Sequence, residues 1–288
     1  MISKLFKVFR FIKIYGFNRT LIKILGRSEK VIPISFYLKF PFLMRKGKKI
    51  GLIGCGHHTF SSLAYFISKY SNAKIIWAYD INTEAQNKLI KQYAIPQLKN
   101  FKSIDDLKKP DVVYIASNHS SHTDYAIKFI NMECDVYIEK PISISLEQLE
   151  ELDKIIFKKK VRVFAGYNRP FSKAVKLLKD KLYIHKNLPM SVNCFVIGHK
   201  IPEDHWYRDE REGTRIIGNV GHWIDLTVNL LLSKDDFPEC IDVDISYSNL
   251  NLPSENIAIT LTTPKSDLIS IVFSAREEPF EGVSETIN

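Results

Sequence analysis

An alternation that begins at Lys48 constrains this chain more than any other feature. Short, almost wholly apolar runs, "KIGLIG", "AKIIWAYD", "DVVYIAS", "CDVYIEKP" and "VRVFAGY", are separated by stretches of helical period. Runs apolar at nearly every position belong to strands buried on both faces, so they predict a parallel sheet covered by helices on either side. Phe60, Leu63, Ile67 and Tyr70 mark the core face of the first helix. Further helices are expected over about 83–93, 121–131 and 145–158. Beyond residue 167 the pattern changes. "MSVNCFVIG", "IDVDISYSN", "IAITLTT" and "LISIVFSA" alternate enough to leave one face free, as in an open, mostly antiparallel sheet with helices on its other face.

The first fifty residues differ from the rest. They hold thirteen Lys and Arg against one acid, Glu29, whereas the remainder has 28 basic and 31 acidic residues. The excess positive charge is therefore confined to a leader, residues 1–47, and the body is not a nucleic-acid binder. Read as a helix, the leader puts Lys4, Lys7, Arg10 and Lys13 on one arc and Leu5, Val8, Phe9 and Ile12 on the opposite one. Basic residues interrupt every apolar run, and "VIPISFYLKFPFLM" is short and broken by Pro33, Lys39 and Pro41, which excludes a signal peptide and a spanning helix. Two readings remain: peripheral contact with the inner face of a membrane through residues 1–30 of a cytoplasmic protein, or an extension packed on the body or a neighbouring subunit. Cys55, Cys134, Cys194 and Cys240 lack C-x-x-C spacing and suit a reducing compartment, with neither disulfides nor zinc implied.

The loop after the first strand, "GCGHHTF", carries the chemistry. Gly54 and Gly56 stand where bare backbone lets a pyrophosphate approach the N–H groups of a helix N-terminus, with His57 beside them. Asp80 ends the second strand at the spacing expected for a carboxylate on the adenosine ribose, and its charge opposes a 2′-phosphate, which favours NAD over NADP. Thr59 replaces a third glycine and predicts looser helix–strand packing. The alternative is an ordinary strand–turn–helix junction. His57 and His58 are adjacent and diverge on a helix, so no metal site is expected.

"ASNHSSHTDYAIKFINMECDVYIEKPISISLEQLEEL" and "VFAGYNRPFSKAVKLL" resemble the Gfo/Idh/MocA oxidoreductases, most specifically in the triplet Glu139-Lys140-Pro141. The resemblance runs from about Lys48 to the C-terminus. It implies an N-terminal Rossmann dinucleotide-binding domain, 48–166, followed by an α+β substrate and oligomerisation domain, 167–288. It also implies a homo-oligomer, since sheet-to-sheet dimers are common in the family. "GCGHHTFSSLAYF" and "EDHWYRDEREGTRIIGNVGHWIDL" are similar to a branch linked to bacterial surface-polysaccharide genes, which implies a sugar or nucleotide-sugar substrate.

Oxidation of a sugar hydroxyl requires a base to take the proton as hydride leaves for nicotinamide, and Lys140 and His222 are the candidates. For Lys140, burial or neighbouring positive charge would lower its pKa for that role. Where the family has D-x-x-x-H, this chain has Gly218 before His222, leaving Asn219 or Asp225 to compensate. His222 can also be a core histidine. Asn118 stands at the family's proline if His122 is the motif's final histidine, so its cofactor contact departs from the pattern. Glu139 either contacts cofactor or fixes the strand end. Asn168 and Arg169 open the second domain, Arg169 meeting substrate or forming an interdomain pair. His205 and Trp206 are sugar-contact candidates or a loop packed on its own domain. The chain stops at "EGVSETIN", before the closing strands the family adds, so the second domain is expected to be incomplete, with an unpaired sheet edge. The expected function is an NAD-dependent sugar or nucleotide-sugar oxidoreductase of surface-glycan synthesis. The competing expectation is a non-catalytic nucleotide-binding or scaffold protein docked by its leader.

Overall fold

The structure is a computed structural model that describes residues 2–28, 46–97, 104–234, 237–252, 255–276 and 284–288. The segment "VIPISFYLKFPFLM" lies outside the described residues. The chain divides into two compact units, residues 1–165 and 166–288.

In the first unit, strands β1 (Lys49–Ile53), β2 (Lys74–Tyr79), β3 (Val112–Ile115), β4 (Asp135–Ile138) and β5 (Val163–Ala165) form one parallel sheet in the order β2-β1-β3-β4-β5. The chain leaves β1 for β2 on one side and returns to β3 on the other. The C-terminal ends of β1 and β3 therefore flank a topological switch point, where open α/β sheets bind ligands. Helices α3 (Ala64–Tyr70), α4 (Thr83–Tyr93), α5 (His122–Asn131) and α6 (Leu146–Lys158) connect the strands. Asn82 caps α4, its Oδ1 accepting from the N–H groups of Glu84 and Ala85 at 3.0 and 3.1 Å. Buried clusters centred on Leu52, Ile75 and Leu89, and on Trp77, Val113, Phe129 and Val136, account for the apolar character of the strands.

Two local features depart from the sequence pattern. A π-helical turn, Thr59–Leu63, precedes α3. Its extra residue per turn rotates the helix after it, so Ala64, Tyr65, Ile67 and Ser68 face inward while Tyr70, expected on the core face, is exposed. Thr59 is buried in this widened turn, which accommodates the side chain that replaces a glycine.

The leader contributes two helices, α1 (Ile2–Tyr15) and α2 (Phe17–Arg27). Ile22 and Leu25 of α2 are buried in the same core as Leu52 and Phe60. Each adds roughly 1.5–3 kcal/mol of apolar burial. Arg19 donates to Ser62 Oγ at 2.9 Å and lies 4.7 Å from the Phe66 ring, and Lys88 Nζ donates to the Gly26 carbonyl at 2.8 Å. The second leader helix is thus packed on the body, whereas Leu5, Phe6 and Phe9 of α1 are exposed.

The second unit is a five-stranded mixed sheet, order β10-β6-β9-β8-β7, from β6 (Ser191–His199), β7 (Asp242–Tyr247), β8 (Asn256–Thr262), β9 (Leu268–Arg276) and β10 (Ser284–Ile287). Among the described residues, the β6–β9 pairing is parallel and the other three are antiparallel. Buried β-sheet residues Val192, Cys194, Ile259 and Ile271 share a core with Val175 of α7 (Lys173–Ile184) and with Trp223, Leu226 and Leu230 of α8 (Gly221–Leu232). Phe195 projects from the opposite face and is exposed. Besides the four strands read from the sequence, the ending supplies a fifth: Ser284–Ile287 pairs with Cys194–Ile197 along β6 and becomes the edge strand on that side. Its polar, non-alternating sequence gave no strand signal, and cross-strand pairing supplies what local preference does not.

Candidate cofactor and substrate sites

Gly54 follows β1 with φ +84°, and a Cβ built on it would lie 2.3 Å from the Ala116 carbonyl oxygen at the end of β3. Only glycine fits this crossing of the two strand ends. Gly56 is different: nothing stands within 4 Å of its Cβ position, so its exposed backbone is open to a ligand. Asp80 locks the loop. Its Oδ2 accepts from Cys55 N–H at 2.6 Å and its Oδ1 from Asn82 N–H at 2.8 Å. A carboxylate has about four acceptor sites, so two remain for ribose hydroxyls.

His57 and His58 diverge as adjacent residues must. His57 turns to the leader, where its Cδ2 lies 3.3 Å from the Cβ position of Gly26 and its Nδ1 is 3.4 Å from Ser61 Oγ. Burial and the Arg27 charge push its pKa down, against a hydrogen bond to the Lys23 backbone. Its imidazole therefore serves the α2 contact, which leaves the backbone of the loop as what His57 can offer a cofactor. His58 Nε2 lies 3.0 Å from Glu139 Oε1, an interaction that sequence reasoning missed because 81 residues separate the partners. Tyr137 OH donates to the same oxygen at 2.9 Å, and Lys140 N–H donates to Glu139 Oε2 at 3.2 Å. Burial raises the Glu139 pKa, yet the His58 and Tyr137 hydrogen bonds outweigh it and hold the group below its ordinary range. Glu139 thus ties the end of β4 to the start of the glycine-loop helix.

Lys140 follows Glu139, half-buried, at the carboxyl edge of the sheet. The turn after it is fixed by His122, whose Nδ1 lies 2.7 Å from Pro141 O and whose Nε2 lies 3.1 Å from Ser117 O. Asn118 is exposed after β3; its amide donates to Ser120 Oγ at 2.7 Å and its Oδ1 accepts from Ser121 at 2.8 Å. Among the described residues no group of His, Cys, Asp and Glu could hold a metal. A groove of about 950 Å³ lies at the opposite, amino end of the strands, lined by Lys48, Lys49, Lys109, Asp111 and Asp135. Its Lys48–Asp135 and Lys109–Glu133 pairs, at 3.5 and 3.9 Å, partly offset the charge of a basic surface away from the switch point.

In the second unit a cleft of about 460 Å³ is lined by Arg169, His205, Trp206, Asn219 and His222, together with His199, Tyr207 and Arg215. Five candidates scattered over 54 positions of sequence therefore line one cleft; Asn168 does not. A second π-helical turn, Ile216–Val220, leads into α8 and carries Asn219. The His222 ring meets Tyr167 edge-on at 5.7 Å, placing it in the cleft wall instead of the core. Asp225 Oδ1 accepts from Asn229 at 3.3 Å, and burial raises the pKa of this carboxyl against the charge of Lys179. Arg169 is paired with Glu285 of β10, its Nε donating at 3.0 Å, and lies 4.3 Å from the Trp223 ring. The pair is internal to the second unit, which corrects the interdomain alternative.

Residues 48–167 match the model of the GFO_IDH_MocA family, described as an oxidoreductase family with an NAD-binding Rossmann fold. Over 198 residues the chain is 27% identical to glucose-6-phosphate 3-dehydrogenase of Bacillus subtilis, covering 64% of this chain and 52% of that protein. It is 24% identical over 189 residues to inositol 2-dehydrogenase/D-chiro-inositol 3-dehydrogenase of Lacticaseibacillus casei, covering 56% and 53%. The chain thus spans about half the length of the curated relatives it matches. The crystal structure of myo-inositol dehydrogenase from Lactobacillus casei, in complex with NAD(H) and myo-inositol, superposes with a TM-score of 0.68 at 19% identity, over 83% of this chain and 70% of that one. That likeness establishes the fold.

Proposed function

We propose that this chain is an NAD-dependent oxidoreductase of the Gfo/Idh/MocA type acting on a sugar or nucleotide-sugar hydroxyl, a reading supported by the match of residues 48–167 to that family's model. The observation that carries this reading is the constellation at the switch point: the Gly54 crossing, the open Gly56 backbone and the two-point hold of Asp80 on the loop. These residues fit a dinucleotide, with pyrophosphate over the Gly56 amide and ribose hydroxyls on Asp80. The fixed Asp80 charge supports NAD over NADP. The nicotinamide, when bound, supplies the hydride chemistry. The chain's own contribution is proton transfer, with Lys140 and His222 as the candidate bases, and sugar contacts from His205, Trp206 and Asn219.

The resemblance of "EDHWYRDEREGTRIIGNVGHWIDL" to surface-polysaccharide proteins supports a role in glycan synthesis. Exposed Leu5, Phe6 and Phe9 beside Arg10 support peripheral membrane contact through α1. Among the described residues, no helix is long and apolar enough to cross a membrane. The uncovered face of the second sheet, with Phe195 exposed, supports self-association. Gly218 in place of an aspartate favours the second reading, a nucleotide-binding protein without turnover.

The test is NADH formation from NAD with a panel of neutral, phosphorylated and carboxylated sugars, using wild type, Lys140→Met and His222→Asn. Turnover lost in a variant that still binds NADH identifies the base. NADH binding without turnover on any member of the panel favours the second reading.

A further inference from the structure

Three arginines lie at or beside the cleft of the second unit, and their counter-charges are unequal. Arg169 is paired with Glu285. Arg208 is paired with Glu255, and it also donates to the Pro202 and Ile201 carbonyls at 2.9 Å. Arg215 has no carboxylate partner among the described residues. It is also the deepest, 2% exposed. Its Nη2 donates to the His199 carbonyl and its guanidinium lies 4.9 Å from the Phe273 ring. Nε and Nη1 are buried with no acceptor among the described residues.

An arginine stays protonated in a protein, so this is a full positive charge withdrawn from water with donors unmatched. Buried charges are ordinarily paired, because the desolvation penalty is otherwise uncompensated. Burial pushes the Arg215 pKa down, against the field of Glu255. The chain makes room for the group: a Cβ on Gly198 of β6 would stand 2.6 Å from Phe273 and 3.1 Å from Arg215 Nη2. Arg215 borders the cleft with His205, Asn219 and Trp206. His205 Nδ1 accepts from Tyr207 N–H at 3.1 Å, which leaves the neutral ring's proton on Nε2 as a further donor. Burial, then the charges of Arg215 and Arg208, lower the His205 pKa and favour that neutral form.

We infer that this cleft takes a substrate bearing an oxyanion, a phosphate or carboxylate carried on a sugar, and that Arg215 supplies the positive charge that binds it. The sugar part rests on the reading proposed above, whereas the anion part rests on Arg215 alone. Deep donors without an acceptor are matched when the ligand's oxygens reach the guanidinium, and the preference for a charged over a neutral sugar arises there. The flanking His205 and Asn219 stand out in the sequence but Arg215 does not, because nothing in "GTRIIGN" announces its burial.

The test is calorimetric titration of the full chain, without cofactor, by D-glucose, D-glucose 6-phosphate, D-glucuronate and inorganic phosphate. Wild type, Arg215→Gln and Arg215→Met are compared, with NADH affinity and apo Tm measured on each. The expected result is that one oxyanion-bearing sugar binds at least about tenfold more tightly than glucose, that both variants lose this preference, and that NADH affinity is unchanged. Whether glucose 6-phosphate or glucuronate leads identifies the oxyanion. The apo Tm of Arg215→Met is expected to rise, since an uncompensated buried charge is removed; a purely structural arginine would lower it. No oxyanion preference in wild type, or one retained by both variants, overturns the inference. Inorganic phosphate binding as tightly as glucose 6-phosphate overturns its sugar part. An oxyanion preference in a chain that does not bind NADH leaves the anion site standing and removes the oxidoreductase reading; NADH binding with no such preference does the reverse.

Discussion

Gly54→Ala and Gly56→Ala separate what the glycine loop does for the fold from what it does for a ligand. At Gly54 the backbone has φ +84°, which costs a residue with a Cβ about 1–2 kcal/mol. The new methyl group would also meet the Ala116 carbonyl oxygen at 2.3 Å. Neither side can yield easily, because Gly54 N–H donates to Tyr79 O at 2.9 Å and Ala116 N–H donates to Ile53 O at 2.8 Å. Overpacking of this kind adds about 1–3 kcal/mol. The sum, about 2–5 kcal/mol, is a large share of the roughly 5–15 kcal/mol that holds a domain together. Gly56→Ala meets no atom within 4 Å, so its stability should change by no more than about 0.5 kcal/mol. Its methyl group would nevertheless stand where the pyrophosphate approaches, and NADH affinity should fall by about tenfold or more, about 1.4 kcal/mol. Urea unfolding followed by circular dichroism gives the first quantity and NADH fluorescence titration the second. The reasoning fails if Gly54→Ala is as stable as wild type, or if Gly56→Ala binds NADH with unchanged affinity.

Two further predictions concern stability. Leu25→Ala in α2 should cost about 2–5 kcal/mol in urea unfolding, because Leu25 belongs to the same buried cluster as the first sheet; a cost near zero would detach the leader from the core. Asp267 is buried, with Oδ1 accepting from Lys234 Nζ at 2.7 Å and Met190 N–H at 2.8 Å, and Oδ2 from Thr263 at 2.8 Å. Burial raises its pKa, but these bonds prevail and hold it below the ordinary carboxylate range. A depressed folded pKa stabilises above the unfolded value, near 4, and that stabilisation is lost as pH falls through the folded value. Asp267→Asn should therefore cost about 3–5 kcal/mol at neutral pH, with the gap to wild type closing in acid; a pH-independent gap would refute the assignment.

The sequence disclosed those parts of the molecule whose physics is local. Strands buried on both faces appear as apolar runs, and capped helices such as α4 appear as period plus Asn82, so β1–β5 and the connecting helices were legible to within about three residues. The meeting of the glycine loop with Asp80, made through Cys55 N–H, was legible because spacing along one strand–helix–strand unit fixes it. What escaped depends on distant contacts. The π turn at Thr59–Leu63 leaves no mark in the periodicity, and it turned Tyr70 outward. The docking of α2 captured His57, and the His58–Glu139 contact joins residues far apart in sequence. Strand β10 has little strand preference of its own and forms on the edge of β6. Arg215 looks like any surface arginine until its burial is seen.

The measurement that tests the central claim most directly is the affinity of the intact chain for NADH and for NADPH, in wild type and Asp80→Ala. The account predicts that wild type prefers NADH. In Asp80→Ala, NADH affinity should fall by roughly tenfold or more as the ribose contact and the hold on Cys55 N–H are lost, and discrimination against the 2′-phosphate should weaken. A folded wild type that binds neither nucleotide, or an Asp80→Ala variant with unchanged affinity and unchanged preference, would contradict the assignment of the glycine loop as the dinucleotide site.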